Sequence, residues 1–114
     1  MTDREMLELA AKSAGKDLSV MEYDQCCGGF VEHKVHGIPR LGLDYSKVWG
    51  PIEHDCDAME LAASMHMILT FSMGGFCRAV CRLGPFDVDI HDDKPTAMRR
   101  AIVLAAAEVG KRMP

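Results

Sequence analysis

Between Met67 and His91 the apolar residues change their spacing, and that change narrows the fold more than any other feature of the chain. Upstream of it, Ala58, Leu61, Ala62 and Met65 fall at i, i+3, i+4 and i+7, the single buried stripe of a helix. After His66 the period drops to 2. Met67, Leu69, Phe71 and Met73 alternate with Ile68, Thr70 and Ser72, as the two faces of a strand do. Gly74-Gly75 is a hairpin signal. Phe76 to Arg82 reads as the return strand, with Arg78 and Arg82 on the face of Phe76 and Val80, and with Cys77, Ala79 and Cys81 as a small apolar face opposite. Leu83-Gly84-Pro85 reads as a turn, and Phe86 to His91 as a third strand with Val88 and Ile90 inward and Asp87, Asp89 and His91 outward. Connections this short leave no room for a crossover, so the three strands form an antiparallel meander.

Helices flank that meander in sequence. Thr2-Asp3-Arg4-Glu5 has the form of a capping box, and Met6, Leu7, Ala10, Ala11 and Ala14 continue it as an apolar stripe that Gly15 is placed to end. The spacing predicts a helix over 3–14. Trp49-Gly50-Pro51 reads as a turn whose indole anchors the loop, and Asp55 or Asp57 as the cap of the next helix, Asp57 with Glu60 being again box-like. Asp92-Asp93-Lys94-Pro95 opens a last helix, striped by Met98, Ala101, Ile102, Ala105 and Val109 and loosened at its end by Gly110. Residues 16–48 carry weaker signals. Leu18, Val20 and Tyr23 suggest one short strand, and Phe30, Val31 and Val35 a second at an edge. Gly37, Pro39, Leu41, Gly42 and Leu43 suggest loop. A structureless run that long is unusual in a compact domain, so a further strand is expected there. The expectation is a single α+β domain over 1–114: an antiparallel three- to four-stranded sheet flanked by three helices, an α-β-α sandwich if the helices take both faces.

Composition excludes some functions. A net charge of −4 argues against broad electrostatic binding to nucleic acid. Arg99, Arg100, Lys111 and Arg112 read as a solvated face of the last helix. No apolar run is long enough to span a bilayer, and the charged Met1–Glu5 segment lacks the apolar block of a secretory signal. A cytoplasmic chain is expected, with its five cysteines as free thiols. Nine methionines are many: some fill core gaps, and a few suggest an adaptable contact surface.

Four polar groups have the residue types of a site, and each has a plainer reading. Cys26 and Cys27 with His33 and His36 match zinc-ligand chemistry, and His54 and Cys56 could join them; adjacent cysteines diverge, however, and two thiols near two surface imidazoles account for the pattern. Asp55, Asp57 and Glu60 could hold Mg²⁺, but helix capping explains both aspartates. Asp87, Asp89, His91, Asp92 and Asp93 form an acidic run that a solvated strand face and a cap account for. Cys77 and Cys81 sit on the packed face of a strand, where thiols are structural. Gly28-Gly29 and Gly74-Gly75 lack the strand–loop–helix context and lysine of a phosphate loop. No residue is assigned a catalytic, cofactor or metal role.

Two stretches resemble a known family. Trp49-x-Pro51 followed by Asp55-x-Asp57-Ala58-x-x-Leu61, together with Arg99 to Glu108, is similar to the motifs of the phage α-β-α sandwich domain, small bacteriophage and prophage proteins without an assigned activity. Gly50, His54 and Cys56 depart from the pattern's asparagine, acid and small residue. The resemblance covers roughly residues 49–112 and implies a sheet flanked by helices and a phage or prophage origin. The functional expectation is a non-enzymatic interaction module that binds a host or phage protein, or itself as a homo-oligomer, through a sheet edge or a Met-containing surface, with neither membrane nor nucleic acid as partner. The alternative is a small metal-binding protein, either zinc-stabilised or hydrolytic. A third reading, which the acidic balance disfavours, is a nucleic-acid accessory protein using the Arg78/Arg82 strand face.

Overall fold

The computed structural model describes residues 1–33, 45–72, 74–91 and 93–114. Its order is α1 (Asp3–Ala14), β1 (Glu22–Asp24), β2 (Gly29–His33), β3 (Tyr45–Trp49), α2 (Asp55–Ser64), β4 (Ile68–Phe71), β5 (Phe76–Cys81), β6 (Gly84–Asp89) and α3 (Lys94–Lys111). This is an α+β fold, with three helices and two antiparallel sheets, β1-β2-β3 and β4-β5-β6, among the described residues.

The helices begin and end for local reasons. The Thr2 hydroxyl accepts from the Glu5 amide at 3.2 Å, and Gly15 closes α1 in the left-handed region at φ 71°. The Asp93 carboxylate accepts from the Thr96 amide at 2.7 Å, and Pro95 occupies the first turn of α3 where no amide partner is lost. α2 departs from expectation. Its N-cap is His54, whose side chain makes no cap bond, and both aspartates expected to cap it lie inside the helix. Asp57 Oδ2 accepts from the Gly50 amide, and Asp55 Oδ1 meets Arg99. α2 ends with His66 at φ 53°, where the His66 and Met67 amides close back on the Ala63 and Ala62 carbonyls.

α3 is the packing hub. It lies against α1, α2 and all strands of the second sheet. The expected stripe of Met98, Ala101, Ile102, Ala105 and Val109 is buried, and so are Ala97, Val103, Ala106, Ala107 and Gly110 on its flanks. A helix sandwiched between a sheet and another helix needs apolar residues on two sides, and alanines let both neighbours come close. Gly110 does not loosen this helix. It lies within it, and a Cβ there would strike the Leu9 carbonyl of α1. Arg99 and Arg100 also depart from a solvated face. Arg99 reaches the Ile52 carbonyl at 2.8 Å, and Arg100 reaches the Asp3 carboxylate at 3.2 and 3.3 Å.

The meander follows the expected alternation. Leu69, Cys77, Ala79, Phe86 and Val88 share the face toward the helices, while Ile68, Thr70, Arg78, Asp87 and Asp89 face away. Gly84 and Pro85 belong to β6 and not to the turn, which is Arg82-Leu83 alone. In the first sheet, β2 is the central strand and not an edge. The expected missing strand is β3: Trp49 is its last residue, and the turn follows at Pro51–Glu53. β1 holds Tyr23 but neither Leu18 nor Val20, which precede it. Val35, His36 and the expected loop from Gly37 to Leu43 lie outside the described residues. Phe30 and Trp49 join Leu7, Leu61 and Ile102 in one core, and Tyr23 packs edge-on against Phe30 with ring centroids 5.5 Å apart. No described helix is long and apolar enough to cross a membrane.

Candidate functional site

Two concave regions compete as the site. The larger is a polar cleft of about 640 Å³ where the β1–β2 turn meets the start of α2, lined by Cys26, Cys27, Gly28, Glu53, His54 and Asp57 among others. Gly29 permits this meeting, since a Cβ there would collide with the Trp49 carbonyl. The turn is tied by the Asp24 carboxylate, which accepts from the Cys26 amide at 2.8 Å, and His54 Nε2 lies 3.2 Å from the Cys27 carbonyl. The fold thus brings His54 to the cysteine pair. Among the described residues, however, no three His, Cys, Asp or Glu side chains converge as a metal set. His36 and the His33 side chain fall outside the described residues. Cys56 is exposed, and all five cysteines are free thiols.

The remaining polar candidates are dispersed. Asp55 and Asp57 serve Arg99 and Gly50, and Glu60 is exposed and lines a separate hollow with Lys16 and Trp49. Asp87 is held by a two-pronged bond from Arg78, at 2.7 and 3.0 Å, which keeps its carboxyl below the usual aspartate range. Arg78 also lies 5.2 Å from the Phe76 ring, so its charge is engaged; Arg82 stands apart in the turn. Asp93 is the α3 cap, and Asp92 is outside the described residues. Cys77 and Cys81 are buried, and burial pushes the Cys77 thiol up, away from the reactive thiolate.

The second region is an apolar groove of about 280 Å³ where α2, β4 and the start of α3 meet. Ala58, Met59, Leu69, Phe71, Met98 and Ile102 line it, with Asp55, Pro95 and Arg99 at its rim. Two of its large apolar side chains stay exposed: Met59 at 60% and Phe71 at 54%. Ile68, on the other face of the same strand, is 67% exposed. A small domain rarely leaves three large apolar side chains open on and beside one short strand.

Among the described residues, that strand is an edge of its sheet. The Ser72 amide donates to the Phe76 carbonyl at 3.0 Å, which makes Thr70–Arg78 and Ile68–Val80 the hydrogen-bonded pairs with β5. The N–H and C=O groups of Leu69 and Phe71 therefore point away from the sheet. The opposite edge is built differently. The Ile90 amide donates to the Gly75 carbonyl, so the residues of β6 whose backbone faces outward are Pro85, Asp87 and Asp89. Proline has no donor and the aspartates carry charge, which are standard means of discouraging a further strand. β4, from Ile68 to Phe71, carries none of these guards.

The sequence does not mark Met59 and Phe71 as site residues. The signal it offers is a contrast between an uncharged run, Met67 to Ser72, and a third strand with aspartate at alternate positions. The chain matches no family model, no curated protein and no solved structure.

Proposed function

We propose that this chain is a non-enzymatic protein-interaction module that docks an extended segment on β4. The observation that carries the reading is the asymmetry of the second sheet: β6 is guarded by Pro85, Asp87 and Asp89, while β4 offers the outward backbone groups of Leu69 and Phe71. Backbone pairing would supply affinity, and the Met59–Phe71 groove would select an apolar side chain; methionine adapts its shape to what it meets. A phage or prophage origin belongs to the same proposal and rests on the resemblance of Trp49 to Leu61 and of Arg99 to Glu108.

The test is affinity capture from a bacterial lysate with the natural chain and with Ile68→Lys. Lysine there lies on the outer face, away from the core, and charges the edge. The reading expects a protein, which can be this chain itself, retained by the natural form and lost with the variant. An identical set of retained proteins for both forms overturns it.

A further inference from the structure

We infer that the occupant of the β4 edge is β4 of a second copy, joined antiparallel about a two-fold axis at Thr70. This deepens the reading of β4 as a docking edge and rests on it. Each copy presents four outward backbone groups on this strand, the N–H and C=O of Leu69 and of Phe71. In an antiparallel pair, a residue facing outward must meet another that does. Setting Leu69 opposite the second copy's Phe71, and Phe71 opposite its Leu69, pairs every one of these groups in four hydrogen bonds. The register centred on Leu69 would call on the Met67 amide, which already donates to the Ala62 carbonyl at 3.0 Å.

The side chains agree with that register. Met67 to Ser72 holds no charge, so two copies bring no like charges together. On the outer face Thr70 meets Thr70, and Ile68 meets Ser72. On the inner face Leu69 lies beside Phe71 of the other copy, which covers ring surface that is open in the isolated chain. Because the axis stands perpendicular to the sheet, both copies carry their helices on the same side. The product is one six-stranded sheet whose outer edges are the two guarded β6 strands. A closed two-fold pair of this kind does not extend that sheet further, since neither of its outer edges favours another strand.

The test is the mass of the untagged chain by sedimentation equilibrium, for the natural form, Thr70→Lys, Thr70→Glu, and a 1:1 mixture of the two variants. Thr70 is exposed, so either side chain is accommodated in the single chain, and circular dichroism checks the fold. The expected result is a dimer for the natural form, loss of the dimer in each variant, and its return in the mixture, where lysine faces glutamate across the axis. Amide exchange of the natural form gives a second readout without any variant: Leu69 and Phe71 amides slow down as protein concentration rises. A monomeric natural form, a dimer indifferent to both substitutions, or a mixture that stays monomeric overturns the inference. A monomer that still captures a protein in an Ile68-dependent way overturns the second copy alone and leaves β4 as a docking edge for another partner.

Discussion

Gly110 of α3 lies against the main chain of Leu9 in α1, close enough that a Cβ at position 110 would strike the Leu9 carbonyl. These are the two helices that pack most extensively on each other. Helix propensity alone says that alanine should stabilise here by about 1 kcal/mol. Overpacking opposes it with about 1–3 kcal/mol. The Leu9 carbonyl is backbone in mid-helix and cannot swing aside. Gly110→Ala is expected to lower the urea midpoint, and an unchanged or raised midpoint would mean the helices separate freely.

Arg99 joins α3 to the loop ahead of α2. Its side chain is only 15% exposed and donates to the Ile52 carbonyl, the Asp55 carboxylate and the Thr96 hydroxyl. Asp55 is 77% exposed, so that ion pair is screened and adds less than about 1 kcal/mol. The larger loss on Arg99→Ala is the stranded Ile52 carbonyl, about 1–3 kcal/mol. Lysine presents no planar fork for three acceptors, so Arg99→Lys should recover little. Chemical denaturation is expected to rank Asp55→Asn mildest, with Arg99→Lys close to Arg99→Ala. A lysine variant as stable as the natural chain would mean that charge alone, and not the fork, holds the loop.

Periodicity made α1, α3 and the meander legible, because each buries a face whose spacing is set by its own backbone. The cap of α2 misled for a physical reason: a short carboxylate satisfies whichever donor is nearest in space, and for Asp57 that is the Gly50 amide seven residues back in the chain. The first sheet was obscure because β1 and β2 are three and five residues long, too short for alternation to stand out. β3 hid behind the assumption that Trp49 belongs to the turn. The polar cleft depends on Gly29 touching Trp49, a contact made only once the strands pair. The groove was half legible: its uncharged strand is visible in the sequence, but its walls come from three separate elements.

His66 ends α2 in the left-handed region, at φ 53°, and is the only described non-glycine residue with positive φ. α1 ends the same way with glycine. A side chain in this conformation costs about 1 kcal/mol, which the bonds from the His66 and Met67 amides offset. Glycine would keep both bonds and remove the steric cost, with some loss to unfolded-state entropy. His66→Gly is expected to raise the melting temperature slightly, and a drop of several degrees would mean that the imidazole itself holds the α2–β4 junction.

Asp93 caps α3, the helix on which the core is built, and the bond it accepts from the Thr96 amide holds its carboxyl below the usual aspartate range. The Thr96 hydroxyl and the Arg99 charge act in the same direction. A carboxyl that releases its proton more readily in the folded chain than in the unfolded one stabilises the fold wherever it is ionised. That contribution is complete above the unfolded value of about 4 and is lost as the pH falls through the lower, folded value. Asp87, held by Arg78, and Asp17, held by the Ser19 amide, are lowered too and lose their contributions in the same acid window. Asparagine at position 93 keeps an oxygen for the Thr96 amide but has no proton to take up, whereas alanine removes the acceptor altogether. Urea midpoints measured at steps from neutral pH down to about 3 should therefore separate the three forms. Asp93→Ala starts lowest at neutral pH, and the gap to the natural chain narrows on acidification. Asp93→Asn starts between the two at neutral pH, keeping the acceptor but lacking the charge, and falls less steeply, because Asp87 and Asp17 still titrate but position 93 does not. Parallel acid limbs for the natural and asparagine forms would place the acid sensitivity elsewhere and leave the Asp93 charge without a part in holding the start of α3.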